Sequence, residues 1–326
     1  MLRTPPLAAL ALTLAVTALA VPPAAARTEV ALGSQTASMF GNPLFERLGV
    51  RAVRYTVAWD VMFRRGRRLR AADAFLRQAR AARAEVLIVF NKSAVDPWRP
   101  PTPARYRDAV SRFIKRYRWI REYVPWNEPN HFTQPLWYQP ALAADYYNQL
   151  RRACRGCLVL AGGLVDSGKA KRGRGRQPWP ATNIRSFLKI YRKRLHGRPR
   201  VWAFQNYYDA NTFGSTLTGL FLQLTRGPVW LTETGGSLRR ADGWPRYNEA
   251  HQARAVDWVL RLADRTPRLR RVYIYDWSPG PVSNGWDSAI IGASGKPRPA
   301  YDVLARRVGL PPLVPVKRAP LPGLGR

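Results

Sequence analysis

Histidine and cysteine are almost missing from this chain, with three and two in 326 residues. His131, His196 and His251 are far apart and show no H-x-x-x-H or C-x-x-C…H spacing, which argues against a zinc site. The cysteines, Cys154 and Cys157, form a C-R-G-C pair after an expected helix and before a strand. A redox motif needs its first Cys at a helix N-terminus, where the dipole lowers the thiol pKa, so that reading is set aside. A short-loop disulfide remains open for an exported chain, and it would close too small a ring to stabilise much. Acidic residues are scarce as well, 20 against 54 Lys and Arg, for a formal charge of +34.

Long apolar runs are lacking beyond the first residues. Arg3, the run Leu7 to Val21 and Ala24-Ala25-Ala26 read as a secretory signal with its cleavage site. The run is too short for a spanning helix, which needs about 20 apolar residues. The expected layout is therefore a signal at 1–26, a catalytic domain at 27–308 and a Pro-rich tail at 309–326. A retained N-terminal anchor is the alternative to export.

The charge has two readings. One is attraction to a polyanion, such as an acidic polysaccharide, an anionic wall or nucleic acid. The other is an Arg-rich composition in which residues such as Arg70, Arg77, Arg80 and Arg83 solvate a helix face opposite Ala and Leu.

Between the signal and the tail, eight apolar or β-branched runs alternate with helix-period segments. The runs are Glu29 to Gly33, Ala52 to Ala58, Glu85 to Phe90, Ile120 to Pro125, Leu158 to Ala161, Val201 to Asn206, Val229 to Thr232 and Arg271 to Tyr275. Alternation of this kind predicts βα units and a parallel sheet, and eight strands close a barrel. Runs that are apolar throughout, such as Val86 to Phe90, suit strands buried on both faces. Helices are predicted at Ala71 to Ala82, after the Thr102 cap and Pro103, at Ala141 to Arg152, at Asn248 to Ala263 and near Tyr301 to Arg306. The expected fold is α/β, a single (β/α)8 TIM barrel.

Barrel enzymes place their chemistry at the C-terminal ends of strands. Glu128 ends the fourth run in Trp126-Asn127-Glu128-Pro129-Asn130, and Glu233 ends the seventh in Leu231-Thr232-Glu233-Thr234-Gly235. These two ends lie across the barrel mouth from each other. Cleaving a glycosidic bond needs a proton donor for the leaving oxygen and a second carboxylate facing the anomeric carbon. Either motif alone is weak, since a Glu before Pro often just begins a turn. Their joint placement is much more specific.

With these motifs in order, the chain resembles the clan A glycoside hydrolases, and within them relatives of family 39 and family 5. The resemblance implies Glu128 as acid/base and Glu233 as nucleophile of a retaining enzyme. It implies that Asn127 binds the sugar 2-hydroxyl, that Arg54 supports the nucleophile and that Tyr208 steadies it. Asn206 stands where clan members commonly carry His, a departure that bears on specificity and on the proton network. Trp277 matches the aromatic platform under the catalytic sugar, and His131 is a further subsite residue. Each has a bland counterpart: Arg54 pairing a structural carboxylate, Trp277 in the core, His131 exposed on a loop. Trp59, Trp126, Trp286 and Asn91 are weaker contact candidates.

The stretch Gly163 to Ala170 nearly spells a phosphate-binding loop, but Ala170 occupies the place of the Mg²⁺-binding hydroxyl, so a nucleotide site is rejected. Lys169, Lys171, Arg172, Arg174 and Arg176 follow the fifth run, and read either as charge held beside the cleft for an anionic glycan or as a solvated loop. The expected function is secreted, retaining hydrolysis of a β-linked poly- or oligosaccharide, with anionic glycans among the candidates. No metal or organic cofactor, no nucleic-acid partner and no stable membrane insertion after signal cleavage are expected, and the chain is read as a monomer. The alternative is a non-catalytic glycan- or polyanion-binding barrel.

Overall fold

Strand residues of alternate parity settle into two apolar layers. Ala31, Ala52, Leu87, Val89, Val124, Leu160, Ala203, Trp230 and Tyr273 fill the inside of a parallel sheet. Leu32, Val53, Ile88, Tyr123, Phe204, Leu231 and Ile274 face outward onto helices. That two-sided burial is the reason the runs are apolar along their length. The computed structural model describes residues 27–64, 66–166, 183–239, 246–280 and 285–313. The expected signal, the end of the expected tail and the basic loop at 167–182 lie outside the described residues.

The strands are β1 (Glu29–Gly33), β2 (Ala52–Ala58), β3 (Glu85–Asn91), β4 (Glu122–Val124), β5 (Leu158–Val159), β6 (Ala161–Val165), β7 (Trp202–Gln205), β8 (Val229–Thr234) and β9 (Leu269–Tyr275). Their order is β5-β4-β3-β2-β1-β9-β8-β7-β6, all parallel. The two ends of that order, β5 and β6, are separated only by Leu160. They are halves of one strand, pairing β4 on one side and β7 on the other, and through it the sheet closes into an eight-membered (β/α)8 barrel.

Around it run α1 (Pro43–Leu48), α2 (Arg67–Ala81), α3 (Pro103–Arg116), α4 (Pro140–Ala153), α5 (Ile184–Arg194), α6 (Tyr207–Asn211), α7 (Thr216–Leu224), α8 (Glu249–Asp264) and α9 (Pro299–Arg307). Local chemistry starts several of them. Thr102 accepts from the Arg105 N–H at 3.3 Å before Pro103, and Asn248 accepts from the His251 N–H at 2.8 Å. Cys154 and Cys157 form a disulfide at the end of α4. Among the described residues, no helix is long and apolar enough to cross a membrane.

The N-terminal end of the barrel is plugged by one cation. Arg271 of β9, its guanidinium carbon 4.2 Å from the Trp230 ring centroid, bonds Glu29 at 2.5 Å, Glu122 at 2.9 Å and Glu85 at 3.0 Å. Three strand starts are thereby tied together at this end.

Candidate active site

Glu233 reaches the barrel mouth through an irregularity. Trp230 points inward and Leu231 outward, so strict alternation would turn Glu233 outward with Leu231. Instead Phe204 pairs Leu231 while Gln205 pairs Glu233, an extra residue on β8 that re-aims the side chain. Glu233 is 8% exposed. Its Oε2 lies 2.5 Å from Nη2 of Arg54, and its Oε1 accepts from the Tyr207 hydroxyl at 3.0 Å.

Arg54 is inward on β2 and also donates to Asn127 Oδ1 at 2.7 Å. Gln205 Nε2 donates to the same oxygen at 2.9 Å. Two donors on its carbonyl fix the Asn127 amide, and with it the residue before Glu128.

Glu128 sits half-buried on the loop after β4 with φ of 47°, in the left-handed region that non-glycine residues rarely enter. Its N–H donates to the Gly163 carbonyl at 2.9 Å. Gly163 has φ of 77°, and a Cβ there would lie 2.5 Å from the Trp126 carbonyl oxygen, so only glycine lets β6 come this close. Fully buried Asn130 completes the clamp, donating to the Val165 carbonyl at 2.8 Å and accepting from the Val165 N–H at 2.9 Å. Strain at Glu128 persists because both neighbours hold it.

Burial pushes the Glu233 carboxyl up from its ordinary range. The Arg54 charge opposes this, and the Glu128 charge adds to it, so the two carboxyls sense each other. Asp276, just past β9 and 7% exposed, is pushed up to about 8 by burial, with Asp287 and Glu233 adding repulsion. A cleft of about 540 Å³ opens over Arg54, Asn91, Lys92, Asn127, Glu233 and Tyr275. Among the described residues, no group of three or more His, Cys, Asp or Glu is placed to hold a metal ion.

Glu128 and Glu233 thus follow or end the fourth and seventh strands of an eight-membered parallel barrel. Several solved glycoside hydrolases share this barrel. Over 87% of its length the chain is similar to a family 39 glycoside hydrolase from Bacteroides cellulosilyticus WH2, at TM-score 0.59 and 16% identity. It spans only 64% of that enzyme's chain. Similarity to xylanase 10B from Thermotoga maritima covers 87% of this chain and 96% of that one, at TM-score 0.56 and 12% identity. For a family 128 endo-β-1,3-glucanase from Amycolatopsis mediterranei the figures are 85%, 98%, 0.54 and 15%. At these identities the likeness is one of fold. No protein-family model and no curated protein sequence matches the chain.

The structure brings Glu128, Glu233, Asn127 and Arg54 together and rearranges the other expected contacts. The hydroxyl on Glu233 belongs to Tyr207, not to Tyr208. Strand β7 ends at Gln205, whose side chain points inward to Asn127, and Tyr207, two residues on, falls on the same side, whereas Tyr208, the position the resemblance implied, does not. The Tyr208 N–H instead caps onto Asp166 at 2.9 Å. Asn206 is fully buried, its amide shared by Thr218 at 3.3 Å and Thr234 at 2.5 Å, and so supports the β7–β8 junction.

Trp277 is a core residue, 2% exposed and edge-on to Phe45 of α1 at 5.7 Å. The inward parity of Tyr273 ends with β9 at Tyr275, whose ring lines the cleft. His131 holds the turn after Glu128: its N–H donates to the Glu128 carbonyl at 2.9 Å, and its Nδ1 pairs the Thr133 hydroxyl at 2.6 Å. Of the weaker candidates, Trp59 and Trp126 are buried, Asn91 lines the cleft, and half-buried Trp286 stands edge-on to Tyr207 at 4.9 Å.

Sequence reasoning missed Tyr207, Gln205, Tyr275 and Lys92. Tyr207 and Gln205 were within reach, since both stand in the F-Q-N-Y-Y-D stretch at a strand end. Lys92 carried no signal beyond following β3.

Proposed function

We propose that this chain is an exported retaining glycoside hydrolase acting on a β-linked poly- or oligosaccharide. The observation that supports it most is the placement of Glu233, buried against Arg54 and Tyr207, with Arg54 also fixing Asn127, the residue before Glu128. A retaining mechanism places its two carboxyls about 5–5.5 Å apart and needs one charged and one protonated. Mutual repulsion disfavours charge on both at once. An ionised Glu128 pushes Glu233 toward its protonated form, so one proton on Glu128 lets Glu233 keep its charge beside Arg54.

In this reading, a Glu233 oxygen attacks the anomeric carbon while Glu128 passes its proton to the departing glycosidic oxygen. Glu128, now a carboxylate, then takes a proton from water as that water's oxygen displaces Glu233 from the anomeric carbon. Arg54 favours the ionised nucleophile against the burial that opposes it, and the Tyr207 hydroxyl orients it. With the Asn127 carbonyl occupied twice, its amide nitrogen is the group that meets a sugar hydroxyl.

The test is a panel of neutral and acidic β-linked glycans, with proton NMR of the first anomer released. Retention of configuration is expected, and Glu128→Gln should cost about 10²–10⁴-fold on substrates with poor leaving groups. An inverted first product, or full activity in Glu233→Gln, would overturn the reading. Salt-sensitive binding with no cleavage of any glycan would leave a binding barrel.

A further inference from the structure

We propose that Lys92 and Trp98 form a subsite for a uronic-acid unit next to Glu128, so that the substrate is a carboxylated glycan; this rests on the hydrolase reading above. Lys92 follows β3 directly, and its half-buried side chain lines the cleft beside Asn127 and Glu233. Its Nζ donates to the Thr133 carbonyl at 2.7 Å, on the loop that carries Glu128, and lies 5.3 Å from the Trp98 ring centroid. The ammonium is therefore held in place between two loops of the catalytic face.

The two deep cations of the cleft differ in their pairing. Arg54 is matched to Glu233 and Asn127. Lys92 has its electrostatic partner in Glu128, whose charge supports the ammonium against the burial that disfavours it. The general acid must bind substrate in its protonated state, and at that moment Glu128 no longer offers a negative charge. Lys92 is then a half-buried cation without that counter-charge, an arrangement that costs free energy. A neutral sugar cannot compensate it, whereas a carboxylate can.

Trp98 adds the second element of recognition. Its ring is 57% exposed and adjoins the ammonium, so a sugar ring can lie on it while an acidic substituent meets Lys92. One ammonium, with the Arg54 guanidinium already engaged by Glu233 and Asn127, fits a singly charged carboxylate better than a phosphate ester. The chain's overall charge of +34 draws such polymers in.

The experiment compares a uronate-bearing β-linked oligosaccharide with its carboxyl-reduced counterpart, which has the same backbone and linkage. Wild-type kcat/KM should favour the acidic form by tenfold or more. Lys92→Met should lower that ratio by about tenfold and Lys92→Arg should retain most of it. Arg77→Gln, on the exposed face of α2, should leave the ratio alone. An unchanged ratio in Lys92→Met, or a preference for the reduced form, would overturn the proposal.

Calorimetry on Glu128→Gln separates this from the hydrolase reading, because the variant is neutral at position 128 whether or not the protein cleaves anything. Tighter binding of the acidic oligosaccharide, lost in Glu128→Gln/Lys92→Met, supports the subsite even if no glycan is hydrolysed. Equal affinity for both forms defeats the subsite even if hydrolysis is robust.

Discussion

Arg54 and Glu233 share a 2.5 Å contact in which the arginine side chain is only 1% exposed. An ion pair this deep does not stabilise by its presence so much as it destabilises when broken, because the surviving charge has no water to turn to. Arg54→Met should cost about 3–5 kcal/mol in folding stability at pH values where Glu233 is ionised. Glu233 should escape part of that cost by taking up a proton, so turnover should fall and the acidic limb of the pH profile should move upward. Arg54→Lys keeps the charge and loses the guanidinium whose Nη2 reaches both Glu233 and Asn127, and should fall between wild type and Arg54→Met. Denaturation and kcat/KM profiles of the three proteins check this, and an unmoved acidic limb in Arg54→Met would contradict it.

Tyr207 and Tyr208 are adjacent, yet only Tyr207 places its hydroxyl on Glu233. A hydrogen bond to a charged group contributes about 1.5–3 kcal/mol. Tyr207→Phe should accordingly lower kcat roughly tenfold to a hundredfold, while Tyr208→Phe should stay within about threefold of wild type. Equal losses in the two variants would mean that the hydroxyl on Glu233 does not matter.

The charge of Glu128 raises the proton affinity of Glu233. Removing it in Glu128→Gln should let Glu233 ionise at lower pH. With an aryl glycoside whose leaving group needs no acid, the acidic limb of kcat/KM should shift downward from its wild-type position. An upward or absent shift would show that the two carboxyls are not coupled.

At the opposite end of the barrel, burial lifts Glu122 to about 7, only partly offset by Arg271, with Glu85 and Glu29 adding repulsion. A carboxyl raised in the fold contributes stability that is complete below its unfolded value near 4.5 and is lost as pH rises through about 7. A shift of that size corresponds to at most about 3 kcal/mol. The stability difference between wild type and Glu122→Gln, followed by denaturant unfolding, should move against the wild type between about pH 5 and 8. A pH-independent difference would rule this out.

Much of the architecture was legible in the residue order. Eight apolar runs separated by 3.6-period segments are what a barrel buried on both faces requires, and all eight form strands. The caps at Thr102 and Asn248 are read locally because a helix start is a local event. The fourth and seventh strand ends could be marked as the place for chemistry because a barrel presents its strand ends together.

What the residues determined by themselves was therefore the barrel and the two glutamates at its mouth. Which neighbours serve those glutamates was decided by the tertiary structure. Period-two alternation along β8 turns Glu233 outward, and only the extra residue opposite Gln205 brings it onto Arg54. Tyr207, not Tyr208, reaches Glu233, and the end of β9 leaves Tyr275 in the cleft while Trp277 joins the core against Phe45. Bulges and strand ends depend on hydrogen bonds to adjacent strands far away in the chain, and a shift of one residue reverses which way a side chain points.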